Sequence, residues 1–357
     1  MSHIRMIGLF FLCILSFNGS AQSELVIRPN TYTAYKTQEL ITIDGKAQEP
    51  IWGTVQWTSN FMDIEGVETP KYQTNVKMLW DESYFYVLAK IEEPHVWADI
   101  TQHDGIIFHN NNFEVFIDPD GDTHNYYELE INALNTVWDL FITKPYRELN
   151  SPVLNDWEIL GLKSAVHVDG SLNDASDTDK GWVLELAIPW SVFKSSYSED
   201  IVPRDTFWRV NFSRVNWNHE LSEGVYSRKK NTQDLLLSEY NWVWSPQGVV
   251  NMHEPEKWGY VYFSSKETYS ETPFEIPKDE EIKWELYKLY RAQKAHYLKT
   301  NQWLTTIERI QPALVLLYGK TLDFSIENYS SGWTISIKSP FSNKLLSLKE
   351  DGKFKIK

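Results

Sequence analysis

Three glutamates, Glu114, Glu128 and Glu130, stand in short runs where charged and apolar residues alternate: Asn112-Phe113-Glu114-Val115-Phe116-Ile117-Asp118 and Tyr126-Tyr127-Glu128-Leu129-Glu130-Ile131-Asn132. Alternation of this kind sends successive side chains to opposite faces of a strand, so Glu114 faces away from Phe113 and Val115, toward solvent or a ligand. On neighbouring strands these carboxyls could accept hydroxyl hydrogens or supply the acid–nucleophile pair that glycoside hydrolysis requires. Immediately after, Asp118-Pro119-Asp120-Gly121-Asp122 sets carboxylates at alternate positions about a glycine-permitted turn. That spacing suits calcium, a hard cation that takes oxygen ligands, and Asn125 and Glu128 could complete its shell. The alternative is an acidic hairpin turn without metal. Arg214, in Val210-Asn211-Phe212-Ser213-Arg214-Val215-Asn216-Trp217, shares a face with Val210 and Phe212. A guanidinium on such a face needs a partner, and Glu128 and Glu130 are its expected ones, either as a ligand-binding pair or as a tie between strands.

Rings are in surplus as well: aromatic residues make up 15% of the chain, with 16 Trp and 19 Tyr. Some could be platforms for a flat ligand. Trp138, Trp217, Trp242 and Trp244 are the candidates to weigh against simple packing. Among the 9 histidines no HxH or HExxH spacing occurs, so zinc catalysis has no support in the sequence. A net charge of −15 argues against nucleic acid, whose phosphates demand clustered Lys and Arg.

The elements that must position these groups are short strands. Val76–Trp80 and Tyr84–Ala89 flank an Asp81-Glu82-Ser83 turn and predict a hairpin. Further strand-like runs cover Phe113–Asp118, Tyr126–Ala133, Thr136–Ile142, Lys163–Val168, Gly181–Ile188, Phe207–Trp217 and Trp258–Phe263, and only Trp190–Phe193 hints at a helical turn. Many short strands with turn-rich joints predict an all-β, antiparallel β-sandwich over residues 38–265, entered by an extended lead-in at 22–37. Residues 266–278 read as a linker. In 279–357, Ile282, Leu286, Leu289, Gln293 and Tyr297 fall on one helical face, and Thr305-x-x-Glu308 suggests a capping box. Leu322, Phe324 and Ile326, then Trp333, Ile335 and Ile337, alternate about a Ser-Ser-Gly turn. The tail is expected to be a helical arm with a small β-meander, an α+β extension. At the start, Arg5 and the apolar run Met6–Phe17, followed by Gly19, Ser20 and Ala21, predict a signal peptide over 1–21 and an exported protein, secreted or periplasmic, without a membrane span. Cys13 is the only cysteine and falls in that run, so the mature chain would carry no disulfide.

Several ordered segments resemble the family 9 carbohydrate-binding modules: Ile43-Asp44-Gly45 with Glu49-Pro50-Ile51-Trp52, the hairpin VKMLWDESYFYVLAKIEEP at 76–94, NFEVFID at 112–118, GWVLELAIPW at 181–190, Val210-Asn211-Phe212, and Pro255-Glu256-Lys257-Trp258-Gly259. The resemblance implies a β-sandwich with structural calcium and a shallow slot in which two rings sandwich a sugar, in company with polysaccharide-degrading enzymes. The family's first ring position falls on Phe108 and its carboxylate on Glu114. Its sugar-binding Arg position falls on Glu130, and its second ring on Met252, with His253 adjacent. The expected function is therefore binding of oligosaccharide or polysaccharide in carbohydrate catabolism. A hydrolase of O-glycosyl bonds is the alternative. A haem or redox sandwich is the other; it would use Met252 and His253, although neighbours on one strand point to opposite faces.

Overall fold

In the computed structural model, the described residues are 27–148, 151–193, 201–267 and 274–357; the expected signal peptide at 1–21 and Cys13 lie outside them. Strands β1 (Thr31–Lys36), β2 (Met62–Asp63), β3 (Thr74–Trp80), β4 (Tyr84–Glu92), β5 (Asn112–Asp118), β6 (Tyr126–Asn132), β7 (Val137–Ile142), β8 (Val153–Leu154), β9 (Lys163–Asp169), β10 (Gly181–Pro189), β11 (Thr206–Asn216), β14 (Tyr240–Val243) and β15 (Gly259–Ser264) form one curled sheet, while β12 (His219–Ser222) and β13 (Val225–Arg228) pair as a separate hairpin. The sheet folds on itself into two layers, β8-β7-β6-β5-β11-β15 and β3-β4-β10-β9.

Local chemistry accounts for the elements. In the β3–β4 hairpin the Asp81 carboxylate accepts the backbone N–H of Ser83 at 2.6 Å and of Tyr84 at 2.7 Å, which closes the turn. Alternation then sends Val76, Met78 and Trp80 inward on one strand and Phe85, Val87, Ala89 and Ile91 on the other, where they meet Val115, Leu129, Leu184 and Phe212 from the remaining strands. Burying such side chains contributes about 1.5–3 kcal/mol each, which is what closes the two layers on one another. Over the outer face of the second layer, Ile41, Trp52 and Val55 pack on Leu79, Tyr86 and Leu88.

Two expectations change. Residues 31–36, read as lead-in, form β1, which runs parallel to both β15 and β3 and joins the layers, so the sandwich is antiparallel except at this seam and begins before residue 38. The Trp80 indole ties the seam by donating to Ala34 O at 3.2 Å and Ser264 O at 3.0 Å. The Thr305-x-x-Glu308 box does not form: a single turn, α2 (Ile307–Ile310), follows Thr306 with no side-chain cap.

The tail consists of α1 (Lys278–Thr300), the short pair β16 (Leu316–Leu317) and β17 (Lys320–Thr321), and a meander of β18 (Ser325–Tyr329), β19 (Gly332–Lys338), β20 (Leu345–Lys349) and β21 (Phe354–Ile356). Its own core gathers Ile282, Leu286 and Leu289 with Trp333, Ile335 and Ile337. Polar contacts then dock it against the sandwich: Glu280 accepts from Tyr260 Oη at 3.0 Å and lies 3.4 Å from Arg209, and Arg291 reaches Glu254 and Glu256 at 2.6 Å each.

Candidate binding pocket

A concavity of about 330 Å³ opens on the outer face of the first layer. Period-2 geometry builds its floor. Across β5, β6 and β7 the register stacks one row of Glu114, Glu130 and Trp138 beside a second of Phe116, Glu128 and Leu140. These are the side chains that alternate away from the core. A short 3-10 turn at Ile107–His109 brings Phe108 to the rim, the loop after β7 brings Tyr146, the β14 side brings Glu239 and Asn241, and the 250–253 loop brings Met252 and His253.

The electrostatics are dominated by burial. Glu114, Glu128 and Glu130 are each no more than 5% exposed. Burial pushes the Glu114 carboxyl up to about 7. It lifts Glu128 and Glu130 well above the carboxylate range, with Glu114 nearby adding to both. The Asn112 amide donates to Glu114 and to Glu130, at 3.1 Å each. Glu128 Oε2 has no hydrogen-bond partner among the described residues. His253 Nε2 lies 4.0 Å from it, yet burial pushes the imidazole down to about 3, so that approach is not an ion pair at neutral pH. His253 Nδ1 instead shares a hydrogen with Tyr126 Oη at 2.9 Å, and the ring stands against Tyr146 at 3.9 Å.

Of the rings, Phe108 and Trp138 are half-buried and Tyr146 is 50% exposed, as platforms at a pocket mouth should be. Trp217 is a correction, because it does not line the pocket. It packs edge-on behind Phe108 at 5.7 Å, donates to Phe108 O at 2.9 Å, and so supports the platform. Trp242 and Trp244 belong to the core.

Arg214 is the larger correction. It is fully buried and paired with Glu93 at 2.9 Å, with the Trp242 ring 5.0 Å away, and it touches neither Glu128 nor Glu130. The same alternation that put it on the side of Phe212 takes it into the interlayer space, away from the outer face that carries the pocket. Met252 and His253 are a third: they stand in a loop rather than a strand, so both line the pocket. The Met252 sulfur already accepts from Gln247 at 3.2 Å.

At the acidic turn, oxygens of Asp118, Asp120 and Asp122 lie within 4.8 Å of one another. The Asp118 carboxylate accepts the N–H of Gly121 at 3.0 Å and of Thr123 at 2.9 Å. Two ammonium groups also converge there, Lys353 at 2.9 Å from Asp122 and Lys283 on Gly121 O. Gly121 has a φ of +65°, and a Cβ there would lie 3.3 Å from Lys283 Nζ. Glu128 faces the pocket instead of this turn.

Sequence reading missed Phe116, Tyr146, Glu239, Asn241 and the bridging Asn112. Phe116 and Asn112 could have been found, since each is two residues from Glu114. The others reach the pocket from loops and from a strand distant in sequence.

Comparison with known proteins agrees with the resemblance read from the sequence. Residues 43–202 match the family described as "Carbohydrate family 9 binding domain-like". Among curated proteins, endo-1,4-beta-xylanase A of Thermoanaerobacterium saccharolyticum is 25% identical over 174 residues, 49% of this chain, and exoglucanase XynX of Acetivibrio thermocellus is 24% identical over the same length. The chain spans only 13% and 14% of those two proteins. Among solved structures, a family 9 carbohydrate-binding module from Caldicellulosiruptor kristjanssonii in complex with glucose aligns with a TM-score of 0.42 at 14% identity, covering 68% of this chain and all of that one.

Proposed function

We propose that this protein binds carbohydrate and that the pocket on the outer face of β5–β7 is where it does so. One observation carries the reading: half-buried rings, Phe108 and Trp138, stand beside a floor of buried carboxyls in a pocket of about 330 Å³. Sugar rings stack their C–H faces on aromatic faces, while their hydroxyls need polar partners. The family match and the relatives' names, a xylanase and an exoglucanase, support a plant-polysaccharide context. Export by a signal peptide, and work beside polysaccharide-degrading enzymes, are parts of the same proposal. Titration calorimetry against a panel of plant oligosaccharides tests it. The expected result is binding that Trp138→Ala weakens; an empty panel would refute it.

Binding is favoured over hydrolysis by the family match, whose description is of a binding domain. Release of reducing ends from any panel sugar would reverse this choice. For the haem alternative, a Soret band in the purified protein is the deciding observation.

Structural calcium at Asp118, Asp120 and Asp122 is a further proposal. The clustered oxygens support it, and Lys353 would have to yield its place on Asp122. Chelator should then lower the melting temperature. An unchanged melting temperature assigns the neutralisation of this turn to Lys283 and Lys353.

A further inference from the structure

The pocket is more acidic than neutral hydroxyls require. Glu114, Glu128, Glu130 and Glu239 all line it, and no Lys or Arg lines it among the described residues. Glu114 and Glu130 are directly opposite one another across β5 and β6, where like charges repel most strongly. Glu128 is 5% exposed, faces the pocket, and leaves Oε2 without a hydrogen-bond partner among the described residues. His253, whose Nε2 lies 4.0 Å from Glu128 Oε2, is held neutral by burial. Burial favours the protonated form of all three carboxyls, with Glu114 raised to about 7. A ligand bearing one positive charge would change that balance. It would let a carboxylate form, give Glu128 Oε2 its missing donor, and meet the negative faces of the surrounding rings.

We propose that the pocket selects an amino sugar, a hexosamine residue with a free primary ammonium. The ammonium sits among Glu128, Glu114 and Glu130, and the sugar ring lies on Trp138. This deepens the carbohydrate reading above and rests on it. N-acetylation abolishes the charge, so acetylated hexosamines lose the advantage while keeping their shape.

Calorimetric titration of the full chain near neutral pH with glucose, glucosamine, N-acetylglucosamine and ethanolamine tests the proposal. Glucosamine is expected to bind about tenfold or more tighter than glucose and N-acetylglucosamine, a difference of about one close charge pair. Ethanolamine should fall well below glucosamine. If the neutral sugars bind as tightly as glucosamine, the amino-sugar proposal is overturned and the carbohydrate reading stands. If no sugar binds, both fall. If ethanolamine matches glucosamine, the sugar ring plays no part and the proposal fails. Glu128→Gln should lower the ratio of glucosamine to glucose affinity about tenfold. Glu239→Gln, at the half-buried rim, should lower it in the same direction should the buried variant fail to fold. An unchanged ratio in a folded variant overturns the role assigned to the carboxyls.

Discussion

Arg214 and Glu93 show how a single residue's task depends on which side of a strand lies inward. Both are buried in the space between the layers, where Glu93 also accepts from Asn111 at 3.0 Å and Asn216 at 3.2 Å. Burial is the largest influence on each, raising Glu93 and lowering Arg214, and the partner's charge opposes it in both. Removing one member leaves the other buried and uncompensated, which costs about 3–5 kcal/mol. Arg214→Met should therefore lower unfolding stability by that order in denaturant titration. The double variant with Glu93→Gln should recover part of the loss. Any sugar affinity should persist in the folded fraction, because the pair does not line the pocket.

At the scale of elements, the 3-10 turn that carries Phe108 and the strand that carries Trp138 each contribute one ring to the pocket. Truncating a stacked ring removes about 0.5–1.5 kcal/mol beyond its area. Phe108→Ala and Trp138→Ala should each weaken sugar binding by roughly threefold to tenfold or more, with melting temperature little changed since both rings are half-exposed. Trp217→Phe distinguishes support from contact. It deletes the indole donor to Phe108 O without opening the pocket floor, so affinity should fall less than with Phe108→Ala. Equal losses would place Trp217 in contact with the ligand.

For the whole molecule, pH dependence follows from the raised carboxyls. Unfolded glutamates titrate near ~4.3. Glu114 titrates in the folded protein at about 7, so between these values the unfolded state loses its proton first and stability falls as pH rises. Glu128 and Glu130 act with the same sign and for the same cause. His253, pushed down to about 3, opposes them below its unfolded value of ~6.5 but is one group against three. Glu256 is raised by burial but held down to about 2 overall by Arg147 and Arg291, and its contribution is lost only in stronger acid. The melting temperature should thus decline from about pH 5 to pH 8, with Glu114 alone worth on the order of 3 kcal/mol, and Glu114→Gln should flatten the slope. A melting temperature that rises over this range would refute the assignment. The docked tail gives a second whole-molecule test. Deleting residues 278–357 strips Glu280 from Arg209 and Arg291 from Glu256, so the remaining sandwich should melt several degrees lower in calorimetry. An unchanged transition would mean the tail folds independently.

What the sequence determined by itself was everything with a local period. The alternation in NFEVFID and YYELEIN dictates that Glu114, Glu128 and Glu130 share a face, and their positions in register make that face an acidic floor. The hairpin at 74–92, the helix face of Ile282, Leu286 and Leu289, and the buried Trp333, Ile335 and Ile337 were legible for the same reason. Only the tertiary structure decided which face of each strand was outside. Arg214 and Glu114 lie on adjacent strands and are both charged, and nothing local distinguishes the interlayer space from a ligand pocket. β1 was hidden because its pairing partners are β3 and β15, and parallel pairing with so distant a partner leaves no mark in the short run TYTAYK. Tyr146, Glu239 and His253 converge on the pocket from three separate segments, and that convergence is set by the packing of the strands that carry them.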